Sequence, residues 1–371
     1  MYDAYFSDLV KPPKPKPTEK MKFQLLSIVS AVALSLPNAS VAFAKAPVQD
    51  RGTAVRSAVA TEVEAPTTVW GVQTDADHEG VLVVKAPLKM LGPYPALGLR
   101  FPDLATESQR KTGKSGVSLD FVIDTAANTN TIQKPVQEAL EIPKVGRFGS
   151  VHNMGGTQLD GVMEDLFLTD LGVSALPGGN PNAAGLLSLA FLKLFPGGVA
   201  FGWAEKRPSL TFFAGKTKSA TDDKKMVPIQ PLTMAGGLPS ITLMVNGKEV
   251  KALLAAGSPI TVMNEEAAKL AGVERMNLAG FDKEDMQANG NIVVVQNQRG
   301  EPVDLTRSKD VVDIKAAEVD FGKVPLYVGE IPSLAALTSE FAGPAILLGL
   351  DVLVQRPSML LRAQDNEVWF S

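Results

Sequence analysis

The most constraining feature of this sequence is that its second half repeats its first. Phe121-Val122-Ile123-Asp124-Thr125-Ala126-Ala127 aligns with Ala252-Leu253-Leu254-Ala255-Ala256-Gly257-Ser258. The alignment runs on without a gap through Thr131-Ile132 against Val262-Met263, and both segments lead into a short helical stretch ending near Ile142 and Val273. Farther along, Gly185-Leu186-Leu187-Ser188-Leu189-Ala190-Phe191-Leu192 matches Ile346-Leu347-Leu348-Gly349-Leu350-Asp351-Val352-Leu353. Each of these is followed by a closing hairpin, ending at Phe213 and Phe370. Two matched motifs in the same order imply duplication, so whatever fold one half adopts the other should adopt too.

The repeated unit reads as β. Short apolar runs alternate with Gly/Pro turns: Val81-Leu82-Val83-Val84, Tyr94 to Phe101, Val117 to Ile123, Gly198 to Trp203 and Leu210 to Phe213. Many short strands at such spacing predict an all-β barrel or sandwich. Helical signals are few: Lys134 to Leu140, Glu265 to Ala271 and Leu334 to Phe341. The expected units are 66–215 and 227–371, joined by a polar linker over 216–226.

Composition removes several function classes. With 45% apolar and 20% charged residues in 371, the chain can bury a core and is not disordered. A net charge of −4 with interspersed signs offers no nucleic-acid surface. There is no cysteine, hence no disulfide, thiol nucleophile or cysteine-bound zinc. His78 and His152 are the only histidines, so a multi-histidine metal site is not expected, and no cofactor is implied. Gly215-Lys216-Thr217 and Gly113-Lys114-Ser115 resemble the end of a phosphate-binding loop, but Leu210 and Ser108 stand where the first glycine is needed. His152 lies near Ser150 and Asp160, yet nothing like a nucleophile elbow surrounds it. Trp70, Trp203 and Trp369 read as core or edge packing.

An apolar strand running into Asp124-Thr125-Ala126-Ala127, supported later by Leu186-Leu187-Ser188, resembles the Asp-Thr-Gly signature of aspartic proteases. Over about residues 80–371 the chain resembles the tandem, single-chain retropepsin-like family. The resemblance implies a bilobal pepsin/retropepsin-like acid protease fold: two homologous β-barrel lobes with a central cleft. In that chemistry two carboxylates, one per lobe, sit about 3 Å apart and share a proton, one acting as base on water and the other polarising the carbonyl. The threonine hydroxyls cross-bond the two loops, and the glycines let the backbones approach.

This sequence departs from the pattern in both halves. The first keeps Asp124 and Thr125 but has Ala126 and Ser188 at the two glycine positions. The second keeps Gly257 and Gly349 but has Ala255 in place of the aspartate and Ala256 in place of the threonine. One carboxylate cannot fill both the acid and the base role. The expectation is therefore a catalytically defective relative that binds a peptide or protein segment in the cleft. An active aspartic endopeptidase with an atypical site and a structural subunit of a plastid complex stay open. Asn153, Met154, Gly155 and Gly156, within the Gly-rich stretch Gly149–Gly156, form the candidate flap. A β-turn without a ligand role is the alternative. The second half carries extra residues around Asn289-Gly290-Asn291 and Asn297 to Glu301, expected to form additional hairpins.

Residues 1–65 read as a presequence. Lys22 and the apolar run Leu25–Leu36, too short to span a bilayer, resemble a signal peptide, leaving Met21 open as the true start. Ser40-Val41-Ala42-Phe43-Ala44-Lys45-Ala46-Pro47 resembles the ASAFAP-like plastid motif of diatoms, and the following stretch is basic, as transit peptides are. The implied location is the plastid, with secretion as the alternative. The mature chain is expected to lack a transmembrane segment and to act as a monomer or within a plastid complex.

Overall fold

The computed structural model describes residues 81, 83–143, 148–159, 166–168, 172–174, 183–204, 206–222, 226–232, 237–296, 302–330 and 343–371. The expected presequence, Trp70, Asp160 and the Leu334–Phe341 helix lie outside the described residues. The chain is mostly β. Among the described residues no helix is long and apolar enough to cross a membrane.

Alternation builds the first large sheet. In Tyr94–Phe101, the side chains of Leu97, Leu99 and Phe101 enter the main core. In the antiparallel Val117–Ile123 strand, Phe121 and Ile123 do the same. The ladder sets Leu97 against Phe121, and Phe101, Phe121 and Phe148 meet edge to face. Such aromatic pairs add about 0.5–1.5 kcal/mol each beyond the area they bury.

The two halves share a strand topology. In the first, Gly185–Leu187 runs parallel to Val117–Ile123 and antiparallel to Thr131–Gln133, which runs parallel to Gly172–Ser174. In the second, Ala345–Leu348 runs parallel to Lys248–Leu254 and antiparallel to Val262–Met263, which runs parallel to Tyr327–Val328. The outer neighbours correspond as well: Tyr94–Phe101 beside the first central strand, Ser240–Val245 beside the second.

Each motif strand leads into a helix at the matched position. Lys134–Leu140 has Pro135 in its first turn, where the missing amide is harmless, and it buries Leu140. Glu265–Ala271 is capped by Asn264, whose side chain accepts from the Ala267 amide at 2.8 Å. That helix buries Ala267, Ala268 and Ala271.

A third sheet joins the halves. Its order is Val83–Pro87, Ser209–Phe213, Gly198–Gly202, Ser358–Arg362, Glu367–Phe370, Val227–Ile229. At its centre, Val199, Ala200, Phe201 and Gly202 face Leu361, Leu360, Met359 and Ser358. Arg362, buried there, pairs with Glu367 at 2.9 Å and lies over the Trp369 ring. The strand orders are open paths, so closed barrels do not form among the described residues. The reason is local: each half commits its closing hairpin to the shared sheet. Within the expected linker, Ser219–Asp222 is helical and Thr217, Ala220 and Met226 are buried.

Candidate functional site

Asp124 follows the last residue of the Val117–Ile123 strand, and its amide donates to the Leu187 carbonyl at 2.9 Å. Ala255 occupies the same place in the second half, its amide donating to Leu348 at 2.9 Å. The turn that follows is also matched. Leu189 donates to the Ala127 carbonyl at 2.9 Å, and Leu350 donates to Ser258 at 2.8 Å. Asp124 and Ala255 are therefore equivalent positions by backbone hydrogen bonding as well as by alignment.

The two turns touch. The Thr125 hydroxyl donates to the Leu254 carbonyl at 2.6 Å and accepts from the Ala256 amide at 2.9 Å. Asp124 Oδ1 accepts from the Ala126 amide at 2.8 Å and from the Gly257 amide at 3.3 Å. Thr125, Ala255 and Ala256 are buried, and Asp124 is 6% exposed. Gly257 is required by this approach: a Cβ there would lie 2.5 Å from Asp124 Cβ and Cγ. With Ala256 the bridge is one-sided, because no hydroxyl stands at the position matching Thr125.

Electrostatically, Asp124 is a lone acid. Burial pushes its carboxyl above the ordinary carboxylate range, and the Ala126 and Gly257 amides oppose the shift. No acidic side chain among the described residues contributes to it. Ala255, at the equivalent position of the second half, supplies no carboxylate. The arrangement can hold one carboxylate at a dry contact between two turns and present it for hydrogen bonding.

Sequence reasoning missed the polar groups beneath each turn. In the first half, Asn130 Oδ1 accepts from the Ser188 amide at 2.9 Å and from its hydroxyl at 3.1 Å. In the second, Thr261 Oγ1 accepts from the Gly349 amide at 2.9 Å and donates to Asp351 Oδ1 at 2.6 Å. The Thr261 amide also donates to Asp351 Oδ2 at 2.9 Å. Burial raises the Asp351 carboxyl to about 6 against these hydrogen bonds. The signal was available in the repeat, which aligns Asn130 with Thr261 and Ala190 with Asp351.

The candidate flap is a hairpin held against the first large sheet. Asn153–Met154 and Thr157–Gln158 form a hairpin turning at Gly155-Gly156 and pairing with Leu99 and Arg100. Met154 is fully buried in the main core, and Thr157 donates to the Lys85 carbonyl at 3.0 Å. A Cβ on Gly155 would lie 2.6 Å from that of Ala86.

Other candidates for chemistry are weaker. An open groove of about 480 Å³, lined by Thr106, Gln109, Leu119, Pro135, Val136 and Leu140 among others, has no ionisable side chain in its lining. Among the described residues no group of three or more His, Asp or Glu is placed to hold a metal ion. No family model matches the chain, and no curated protein matches it.

Proposed function

We propose that this chain is a single-chain relative of the retropepsin-like aspartic proteases in which the paired-acid site has become a binding site for an extended peptide or protein segment, held in a cleft between two lobes. The observation that carries the reading is the contact between the turns. Asp124 is gripped by Gly257, Thr125 bridges to Leu254 and Ala256, and a methyl group stands where a second carboxylate would be. The paired-acid mechanism requires a base on water and a proton donor to the carbonyl at once. A single carboxylate supplies one of these, so binding without turnover is expected. The presequence motif around Phe43 supports a plastid location, and N-terminal sequencing of the native protein should find the first 42 residues removed.

The test is panning of a random heptapeptide display library on the purified mature protein, followed by titration and incubation of the enriched peptide. The expected result is saturable binding with no cleavage between about pH 3 and 7, the range over which a carboxylate pair can share a proton. Cleavage by wild type that disappears in Asp124→Ala would establish an active endopeptidase. Failure to enrich any peptide would favour a structural role. In the double variant Ala255→Asp, Ala256→Thr, cleavage of the same peptide should appear.

A further inference from the structure

We infer that Tyr94 is a ligand-contacting residue of the Asp124 site, its hydroxyl donating a hydrogen bond to an amide carbonyl of the bound peptide. The inference rests on the peptide-binding reading above.

Three observations place Tyr94 there. The first is register. The antiparallel ladder pairs Ala96 with Val122, and continuing it by two residues sets Tyr94 across from Asp124, on the same face of the sheet. The second is the surrounding cluster. Tyr94 packs with Val122, Ala127, Ala183 and Leu186, an apolar group separate from the main core, with Leu91 of the preceding hairpin strand against it. Val122 and Ala127 flank the Asp124 turn directly. The third is the hydroxyl itself. Tyr94 is 5% exposed, and its buried hydroxyl, like the indole N–H groups of Trp203 and Trp369, has no hydrogen-bond partner among the described residues. The Tyr327 hydroxyl, by contrast, is bonded to the Gly290 carbonyl at 2.7 Å. A buried hydroxyl left unpaired is destabilising, and an orphan of this kind needs an explanation.

The second half sharpens the point. Its ladder pairs Ile241 with Ala252, and the Leu254 amide donates to the Pro239 carbonyl at 2.9 Å. The same continuation sets Leu238 across from Ala255. Leu238 and Ala255 are both buried in the main core. Where one half opposes an acid with a phenol, the other opposes a methyl with an isobutyl group. The half that keeps the acid thus has a phenol at this position, and the half that lacks it has leucine. Asp124 Oδ1 is taken by two amides, and no hydrogen bond to Oδ2 occurs among the described residues. An acceptor at Oδ2 and a donor at Tyr94 complement the N–H and C=O that one residue of an extended peptide presents on the same side. Burial holds the Tyr94 hydroxyl protonated, with its pKa pushed up to about 12, so it remains a donor across the physiological range.

The experiment uses the full mature protein and the heptapeptide enriched by panning. Tyr94→Phe removes one oxygen and should leave the thermal midpoint unchanged or higher, because an unsatisfied group is lost. Affinity for the heptapeptide should fall about five- to tenfold, the value of one neutral hydrogen bond. A series of the same heptapeptide with each amide in turn reduced to CH₂–NH identifies the partner. One member should bind wild type about five- to tenfold more weakly and should lose nothing further against Tyr94→Phe. Tyr94→Leu, which copies Leu238, should reproduce the affinity loss and serves if Tyr94→Phe misfolds. Unchanged affinity in both variants, with Asp124→Asn still weakening binding, overturns the role of Tyr94 and leaves the peptide-binding reading standing. A fall in thermal midpoint with unchanged affinity also overturns it, since the hydroxyl would then be satisfied internally. If no heptapeptide is enriched by wild type, both fall together.

Discussion

At the scale of single residues, Gly257 and Asp351 make opposite demands on their surroundings. Gly257 leaves no space: a methyl group there would sit 2.5 Å from two Asp124 carbons. Gly257→Ala should therefore separate the turns, destabilise the protein by about 1–3 kcal/mol as overpacking does, and abolish peptide binding. A shift in the urea midpoint together with a binding titration would show it. Asp351 is a carboxyl kept partly proton-hungry by burial, raised from an ordinary 3.8 to about 6. Between those two values the folded state holds more proton than the unfolded one, so stability falls as pH rises through the window and is level above it. The favourable contribution is thus complete below about pH 4, near the unfolded value, and lost above about 6. Asp124 is raised by burial in the same direction. Urea midpoints measured from pH 4 to 7 should decline in wild type and decline less in Asp351→Asn. Equal slopes in the two proteins would show that Asp351 is not the titrating group.

At the scale of elements, the two supporting turns reach one hydrogen-bonding pattern by different chemistry. In the first half the Ser188 hydroxyl caps the short Leu189–Leu192 helix, accepting from the Ala190 amide at 3.1 Å, while it donates to Asn130. In the second half Gly349 has no side chain, and a Cβ there would lie 2.2 Å from the Ile260 carbonyl oxygen. Thr261 and Asp351 do the polar work instead. A swap should then be asymmetric. Ser188→Gly should cost about 1 kcal/mol, the value of a modest cap and hydrogen bond. Gly349→Ser should cost more and lower expression, because the obstructing atom belongs to the backbone and cannot rotate away. Thermal midpoints of the two variants, compared side by side, decide between this account and one in which the turns are interchangeable.

At the scale of the whole molecule, the six-stranded sheet makes the halves interdependent. Gly198–Gly202 of one pairs with Ser358–Arg362 of the other, and Val199, Phe201, Met359 and Leu361 all lie in the same main core. Arg362, paired with Glu367 in its own hairpin, also donates to the Gly197 carbonyl across the seam. Unfolding should be a single cooperative transition, with coincident loss of far-ultraviolet dichroism and tryptophan fluorescence. Either half expressed alone should be aggregation-prone, since it would expose an unpaired central strand. Two resolved transitions in calorimetry would contradict this.

The local sequence was enough to place many of the strands and the repeat. Val117–Ile123, Tyr94–Phe101 and the helices Lys134–Leu140 and Glu265–Ala271 occur where the local strand and helix signals put them. Those signals are carried by neighbouring residues, and apolar periodicity needs no knowledge of partners. The missing carboxylate at Ala255 was likewise legible, because the repeat is free of gaps up to that point. What the sequence could not decide lies in contacts between distant residues. Thr125 and Leu254 stand 129 positions apart, and only packing of the two turns makes one the donor to the other. The Gly-rich stretch at Asn153–Gly156 reads as mobile from composition, yet tertiary pairing fastens it to Leu99 and Arg100. The Tyr94 hydroxyl is polar by inventory, and its lack of a partner among the described residues emerges only from the packing around it. Local patterning sets which residues face inward. Which of them meet is set by the global packing of the sheets, and the candidate site is made almost wholly of such meetings.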